Sequence, residues 1–228
     1  MISIRKVMAA TAVGAMTLVP LAACSSDDSS TTESSTSSAA METTEAMPEP
    51  AAEVDDLSNG VSTAVALDPG FTGALTTLGL TPGVIGTATL ADGSISFPIT
   101  GGNVKYWEPG TVDPYVQGEI MHDGSGLSLT AGETVVELTD FDIDPGTSLL
   151  TGTVSVNGEV AAEDAVIFDL DGRTLNPLAT GPDNTAILQG TQVKISETAA
   201  GLLNDTFQTD AVTPGLLVGV ATITVATA

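Results

Sequence analysis

A single histidine, His122, sits in Gly118-Glu119-Ile120-Met121-His122-Asp123-Gly124-Ser125-Gly126 with a carboxylate beside it, a pattern that could serve a general base. Catalysis would also require a nucleophile, and here only a Ser or Thr could supply one. Neither a Gly-x-Ser-x-Gly elbow nor a second His supports that step, so no catalytic residue is assigned. The expected role of His122 is that of a turn residue, bonded to backbone or exposed. Asp140, Asp142 and Asp144 precede Pro145-Gly146 and form the first half of a calcium-loop pattern, since alternate strand residues place carboxylates on one side. The second half of that loop is missing, because Pro145 and Thr151 stand where its glycine and its bidentate glutamate belong. Asp169 and Asp171 make a second, shorter pair. Tyr106, Trp107 and Tyr115 form an aromatic cluster around Pro109-Gly110 and Asp113-Pro114. Such rings build sugar platforms, and Tyr or His can ligate haem iron. These aromatics, with His122, are the candidate ligand-binding residues, and the three aspartates are the candidate metal ligands. No cofactor is assigned.

Charge limits the partners. The chain has 228 residues, with 29 acidic against 5 basic side chains, and two of the five are Arg5 and Lys6 near the N-terminus. The remaining three, Lys105, Arg173 and Lys194, are far apart in sequence. Binding to nucleic acid or to anionic lipid requires clustered cations, so both are excluded. One cysteine permits no internal disulfide, and one histidine permits no histidine-rich metal cluster.

The N-terminus has the pattern of a secretory signal peptide: Arg5 and Lys6 precede an apolar run from Val7 to Pro20 that is too short to span a bilayer comfortably. The run Leu21-Ala22-Ala23-Cys24 resembles the lipobox of bacterial lipoprotein precursors, over about the first 25 residues. That resemblance implies removal of residues 1–23 and diacylglyceryl transfer to the Cys24 thiol. Acylation of the new terminus then often follows. Two or three acyl chains, each stabilised by about 0.8 kcal/mol per buried CH2, would hold the protein at the extracytoplasmic face of the cell membrane. Residues 24–60 are rich in Ser, Thr, Ala, Glu and Pro, with nine acidic residues and no basic or aromatic one. They are expected to form a disordered tether spanning about 30 to 36 Å as a flexible coil.

Residues 61–228 read as one mainly β domain, an antiparallel sandwich or barrel with two short helices. Turn signals recur at Asp92-Gly93, Ala131-Gly132, Asp144-Pro145-Gly146 and Asn157-Gly158, between runs such as Thr151 to Val156 that alternate apolar and polar residues. Asp68-Pro69 predicts a helix start with Phe71, Leu75 and Leu78 on one face and Gly79 as its stop. Ser196-Glu197 predicts a second helix, whose stripe is Ala199, Leu202, Leu203 and Phe207. Matches of Thr63, Val65, Gly73 and Leu75 to Thr191, Val193, Gly201 and Leu203, continued at Thr81-Pro82-Gly83 and Thr213-Pro214-Gly215, suggest a duplicated strand–helix–strand unit. The stretch from His122 to Leu129 resembles the start of a strand in HtaA-type haem-uptake modules of actinobacteria. The likeness covers under a tenth of the chain, and that family's haem-binding Tyr motif has no placed counterpart.

The function expected from these features is a non-catalytic binding or envelope structural module, lipid-anchored through Cys24. Its partner would be an envelope protein or a small ligand. The alternative is a small-ligand carrier for haem, a sugar or calcium that uses the Tyr106 to His122 region, and a hydrolase comes third. The carrier predicts an apolar pocket touching Tyr106, Tyr115 or His122. A hydrolase predicts a Ser or a carboxylate on the imidazole.

Overall fold

The computed structural model describes residues 47–227, so the expected signal peptide and Cys24 lie outside the described residues. The elements in chain order are β1 (Ala52–Val54), β2 (Ser62–Leu67), α1 (Pro69–Leu78), β3 (Thr81–Gly86), β4 (Thr89–Ala91), β5 (Ser94–Pro98) and β6 (Gly101–Tyr106). They continue with β7 (Val116–Ala131), β8 (Thr134–Asp144), β9 (Leu149–Val156), β10 (Glu159–Asp171), β11 (Ala179–Gly181), β12 (Thr185–Ile195), α2 (Glu197–Phe207) and β13 (Leu217–Ala226). All strands join one antiparallel sheet in the order β1-β6-β7-β8-β9-β10-β12-β13-β2-β5-β4, with β3 on β7 and β11 on β12. The sheet curls into a half-barrel.

The hairpins form where turn chemistry places them. Asn157 and Gly158 have φ of 52° and 82°, and Asp92 and Gly93 have 52° and 75°, as a two-residue primed turn requires. Asp144 accepts hydrogen bonds from the Gly146 and Thr147 amides at 2.7 and 3.1 Å and so shapes the β8–β9 turn. The helices also start and stop at their signals. Asp68 caps α1 through Gly70 N–H at 2.7 Å, and Gly79 ends it in the left-handed region. Ser196 caps α2 through Ala199 N–H at 3.0 Å. Phe71 and Leu75 from α1 and Ala199 and Leu203 from α2 are buried in the core, with Leu78, Leu202 and Phe207 packed at its edge.

Two expectations need correction. The domain does not begin at residue 61. β1 pairs with β6, Trp107 donates its indole N–H to the Pro48 carbonyl at 2.9 Å, and Leu57 is 1% exposed. Ala52, Val54 and Leu57 supply enough apolar surface to dock this stretch although its average composition is acidic. The duplication also fails as geometry. β2 and β12 flank β13 on its two sides and each leads into a helix. The strands after the helices differ, because β3 pairs with β7 whereas β13 pairs with both β12 and β2.

The long strands bend at coupled bulges. On β7, three residues (Asp123, Gly124 and Ser125) separate two ladder positions that a single residue, Asp140, separates on β8. Before this point Ile120 and His122 face inward, and after it Leu127 and Leu129 do. β8 switches likewise, from Val136 and Leu138 to Phe141 and Ile143. Asp140 reaches φ 53° and accepts the Gly124 amide at 2.9 Å, which fixes the two bulges together. Gly126 makes the crossing possible, because a Cβ there would lie 2.2 Å from the Leu138 carbonyl oxygen. Gly126→Ala should therefore lower stability by about 1–3 kcal/mol, read as a reduced denaturation midpoint. Gly73→Ala, in an open position on α1, should raise stability by about 0.4–1 kcal/mol in the same assay.

Candidate functional site

Because side chains alternate across a strand, a curled sheet gathers every second residue of each strand on its concave face. Here those residues are apolar on nearly every strand: Val65 on β2, Phe97 on β5, Ile120 on β7, Phe141 on β8, Phe168 on β10 and Ala221 on β13. They line a cavity of about 690 Å³. Pockets of roughly 300 to 1,000 Å³ with mainly apolar walls are typical of small-ligand sites. The helices follow the Leu67 end of β2 and the Ile195 end of β12, and their buried residues join the hydrophobic core. The opposite end is ringed by Tyr106, Tyr115, Asp113, Ser148, Arg173 and Thr227.

His122 lies part-way down this wall, in the bulged centre of β7 rather than in a turn, and is 1% exposed. Its Nδ1 lies 3.2 Å from the Phe141 carbonyl oxygen and its Nε2 lies 2.8 Å from Thr63 Oγ1. A carbonyl only accepts, so the proton belongs on Nδ1, and Nε2 accepts from the Thr63 hydroxyl. Phe97 packs edge-on at 6.5 Å between ring centroids. Burial depresses the imidazole pKa to about 4, against smaller opposing contributions from the Phe141 carbonyl and Asp123, so the ring is neutral at physiological pH.

Among the described residues no Ser or carboxylate bonds the ring. Ser125 donates its hydroxyl to the His122 backbone carbonyl at 3.0 Å, and the Asp123 carboxylate accepts from the Thr100 hydroxyl at 3.4 Å. Thr63 is the one hydroxyl in place, and it faces a weak base.

Tyr106 and Tyr115 both line the cavity at its open end, edge to face at 6.0 Å. Burial raises the Tyr115 pKa, with a smaller contribution from Tyr106. Trp107, adjacent in sequence, points elsewhere and pins Pro48. The structure therefore brings three of the four candidate binding residues to one cavity and gives the fourth a structural task.

The three aspartates do not converge. Asp140 holds the Gly124 amide, Asp144 holds the β8–β9 turn, and no group of three potential ligands able to hold a metal ion occurs among the described residues. Asp142 lies on the outer wall, where burial, then a hydrogen bond and charge from Glu119, then Asp144 and Asp123, raise its pKa to about 7. Its Oδ1 is buried without a partner among the described residues.

No protein-family profile matches the chain, and no curated protein does. Among solved structures, it is similar to the C-terminal domain of HtaA from Corynebacterium glutamicum, at 14% identity and a TM-score of 0.50, over 73% of this chain and 97% of that one. The fold is of that kind. The haem-binding protein HtaB from the same organism aligns at 9% identity and a TM-score of 0.31, over 77% of this chain and 96% of that one. The resemblance carried by His122 to Leu129 thus agrees with the fold of the whole domain.

Sequence reasoning missed Thr63 and Arg173. Thr63 begins the alternation Thr63-Val65-Leu67, a weak signal of an inward threonine. Arg173 forms a two-point pair with Asp171 at 2.9 and 2.6 Å, and nothing in its spacing announced a cavity rim.

The two shifted groups give opposite pH dependences. His122 binds its proton more weakly when folded, so between pH 6.5 and 4 it removes stability as pH falls, by roughly 3 kcal/mol in total. Asp142 binds its proton more tightly when folded, so it removes stability as pH rises from 3.8 to about 7. Asp142→Asn should leave the His122 contribution exposed. Its denaturation midpoint should rise with pH across this window more steeply than that of the wild type.

Proposed function

We propose that the domain is a non-catalytic carrier for a small, largely apolar ligand. The observation that supports this reading is the cavity of about 690 Å³ with apolar walls, touched by His122, Tyr106 and Tyr115 together. A purely structural module gains nothing from such a void, because unfilled apolar volume costs stability. The weakly basic, buried imidazole favours binding over hydrolysis. A sugar finds too few polar partners on these walls, and the aspartates offer calcium no shared site.

Haem suits the cavity by size and apolarity, but His122 has no nitrogen free for iron, because Nδ1 faces the Phe141 carbonyl and Nε2 the Thr63 hydroxyl. The carrier is also proposed to be tethered to the membrane through acyl chains on Cys24.

Native mass spectrometry of secreted Cys24→Ser protein tests the carrier. A noncovalent organic mass should accompany the chain and be lost in Ala221→Phe, which fills the cavity wall while the circular dichroism spectrum is kept. A bare chain from every preparation, with nothing extracted by organic solvent, would overturn the carrier. For the anchor, a fatty-acid probe fed to cells should label the wild type and leave Cys24→Ser unlabelled. Equal labelling would remove the lipidation reading.

A further inference from the structure

Thr63 and His122 stand out in the cavity wall because the lining residues around them, Val65, Ile95, Phe97, Ile120 and Phe141, offer only hydrocarbon. Their hydrogen-bonding capacity can be counted. The Phe141 carbonyl fixes the imidazole proton on Nδ1, and Nε2 can then only accept. The proton that Nε2 accepts is the single hydrogen of the Thr63 hydroxyl. Thr63 Oγ1 is left with lone pairs and no hydrogen, and it lies in the cavity wall.

From this geometry we infer that the cavity selects an uncharged apolar molecule carrying a hydroxyl, or an equivalent N–H donor, at the point where it meets Thr63. The inference rests on the carrier reading and names the ligand class of the same site. A ligand carbonyl, ether or carboxylate at that point would set acceptor against acceptor, whereas an alcohol would donate to Thr63 Oγ1. An alkane would leave the lone pairs of that oxygen unused.

Charge at the rim points the same way. Glu53 and Asp113 line the cavity there, and Arg173 is already held at two points by Asp171. Glu53 is itself paired with Lys105. An anionic head would have to compete with Asp171 for the guanidinium on a surface where acids far outnumber bases. A neutral alcohol meets no such competition.

The test is displacement of Nile red, a neutral apolar dye, from the secreted Cys24→Ser protein, using 1-dodecanol, its methyl ether and dodecanoate. Leaving a buried polar atom unpaired is worth about tenfold in affinity or more. The alcohol should therefore bind about tenfold more tightly than the ether, and dodecanoate more weakly than the alcohol. Thr63→Val alone would free His122 Nε2 to accept the alcohol, so the deciding variant is Thr63→Val with His122→Leu, which should abolish the preference for alcohol over ether while retaining the dye, and Thr63→Ser should keep it. His122→Leu alone frees the Thr63 hydrogen to donate, so the ether should gain on the alcohol. That single variant keeps the inference testable if the double variant does not fold.

Equal binding of alcohol and ether by a wild type that holds the dye would overturn this inference and leave the carrier standing. A preference that persists in the double variant Thr63→Val, His122→Leu would also overturn it. Failure of the wild type to bind dye or any of the three probes would count against the carrier itself.

Discussion

A strand's two faces are fixed by its period, so a long strand can follow a curling sheet and keep its apolar residues inside only if its parity is reset at the bend. The coupled bulges at Asp123–Ser125 and Asp140 make that reset on two neighbouring strands at once. Without them, β7 could turn either Ile120 and His122 or Leu127 and Leu129 inward, but not both pairs. The inward placement of both halves of β7, His122 included, follows from this local irregularity, which is secured by the Asp140 carboxylate on the Gly124 amide.

Within that apolar surface a polar pair is tolerated because it is internally satisfied. Thr63 and His122 are 4% and 1% exposed, and each spends its donor on the other or on the Phe141 carbonyl. A buried imidazole lacking either partner would carry an uncompensated polar atom in hydrocarbon. The outer wall makes the opposite choice. Asp142 lies among Glu119, Asp123 and Asp144 and relieves the repulsion by retaining a proton rather than by finding a cation.

Local signals were legible because their physics is local. Asn157-Gly158 needs two positive φ values, Asp68-Pro69 needs only its own cap, and Ser196 likewise, so hairpins and helices could be read residue by residue. The β class followed from alternation and turn spacing. Which strand neighbours which could not be read, since pairings such as β2 with β13 join residues far apart in the chain. For the same reason the site was half visible. The rarity of His and Tyr singled out His122, Tyr106 and Tyr115, but Thr63 meets His122 across 59 residues of sequence. The glycines and acids around His122 suggested a turn because a bulge uses the same residue types. The aspartate series misled for a related reason: a regular spacing on a strand predicts a shared face, yet Asp140 sits at the bulge where that regularity stops.

The first strand of the described residues carries a mechanical implication. β1 is three residues long, lies at the edge of the sheet beside Tyr106, and is seconded by one indole-to-carbonyl bond at Pro48. Any tension on the polypeptide ahead of Met47 therefore falls first on the lip of the cavity, where the three paired residues of β1 oppose it. Peeling at that edge would loosen the gateway long before it disturbed the barrel floor.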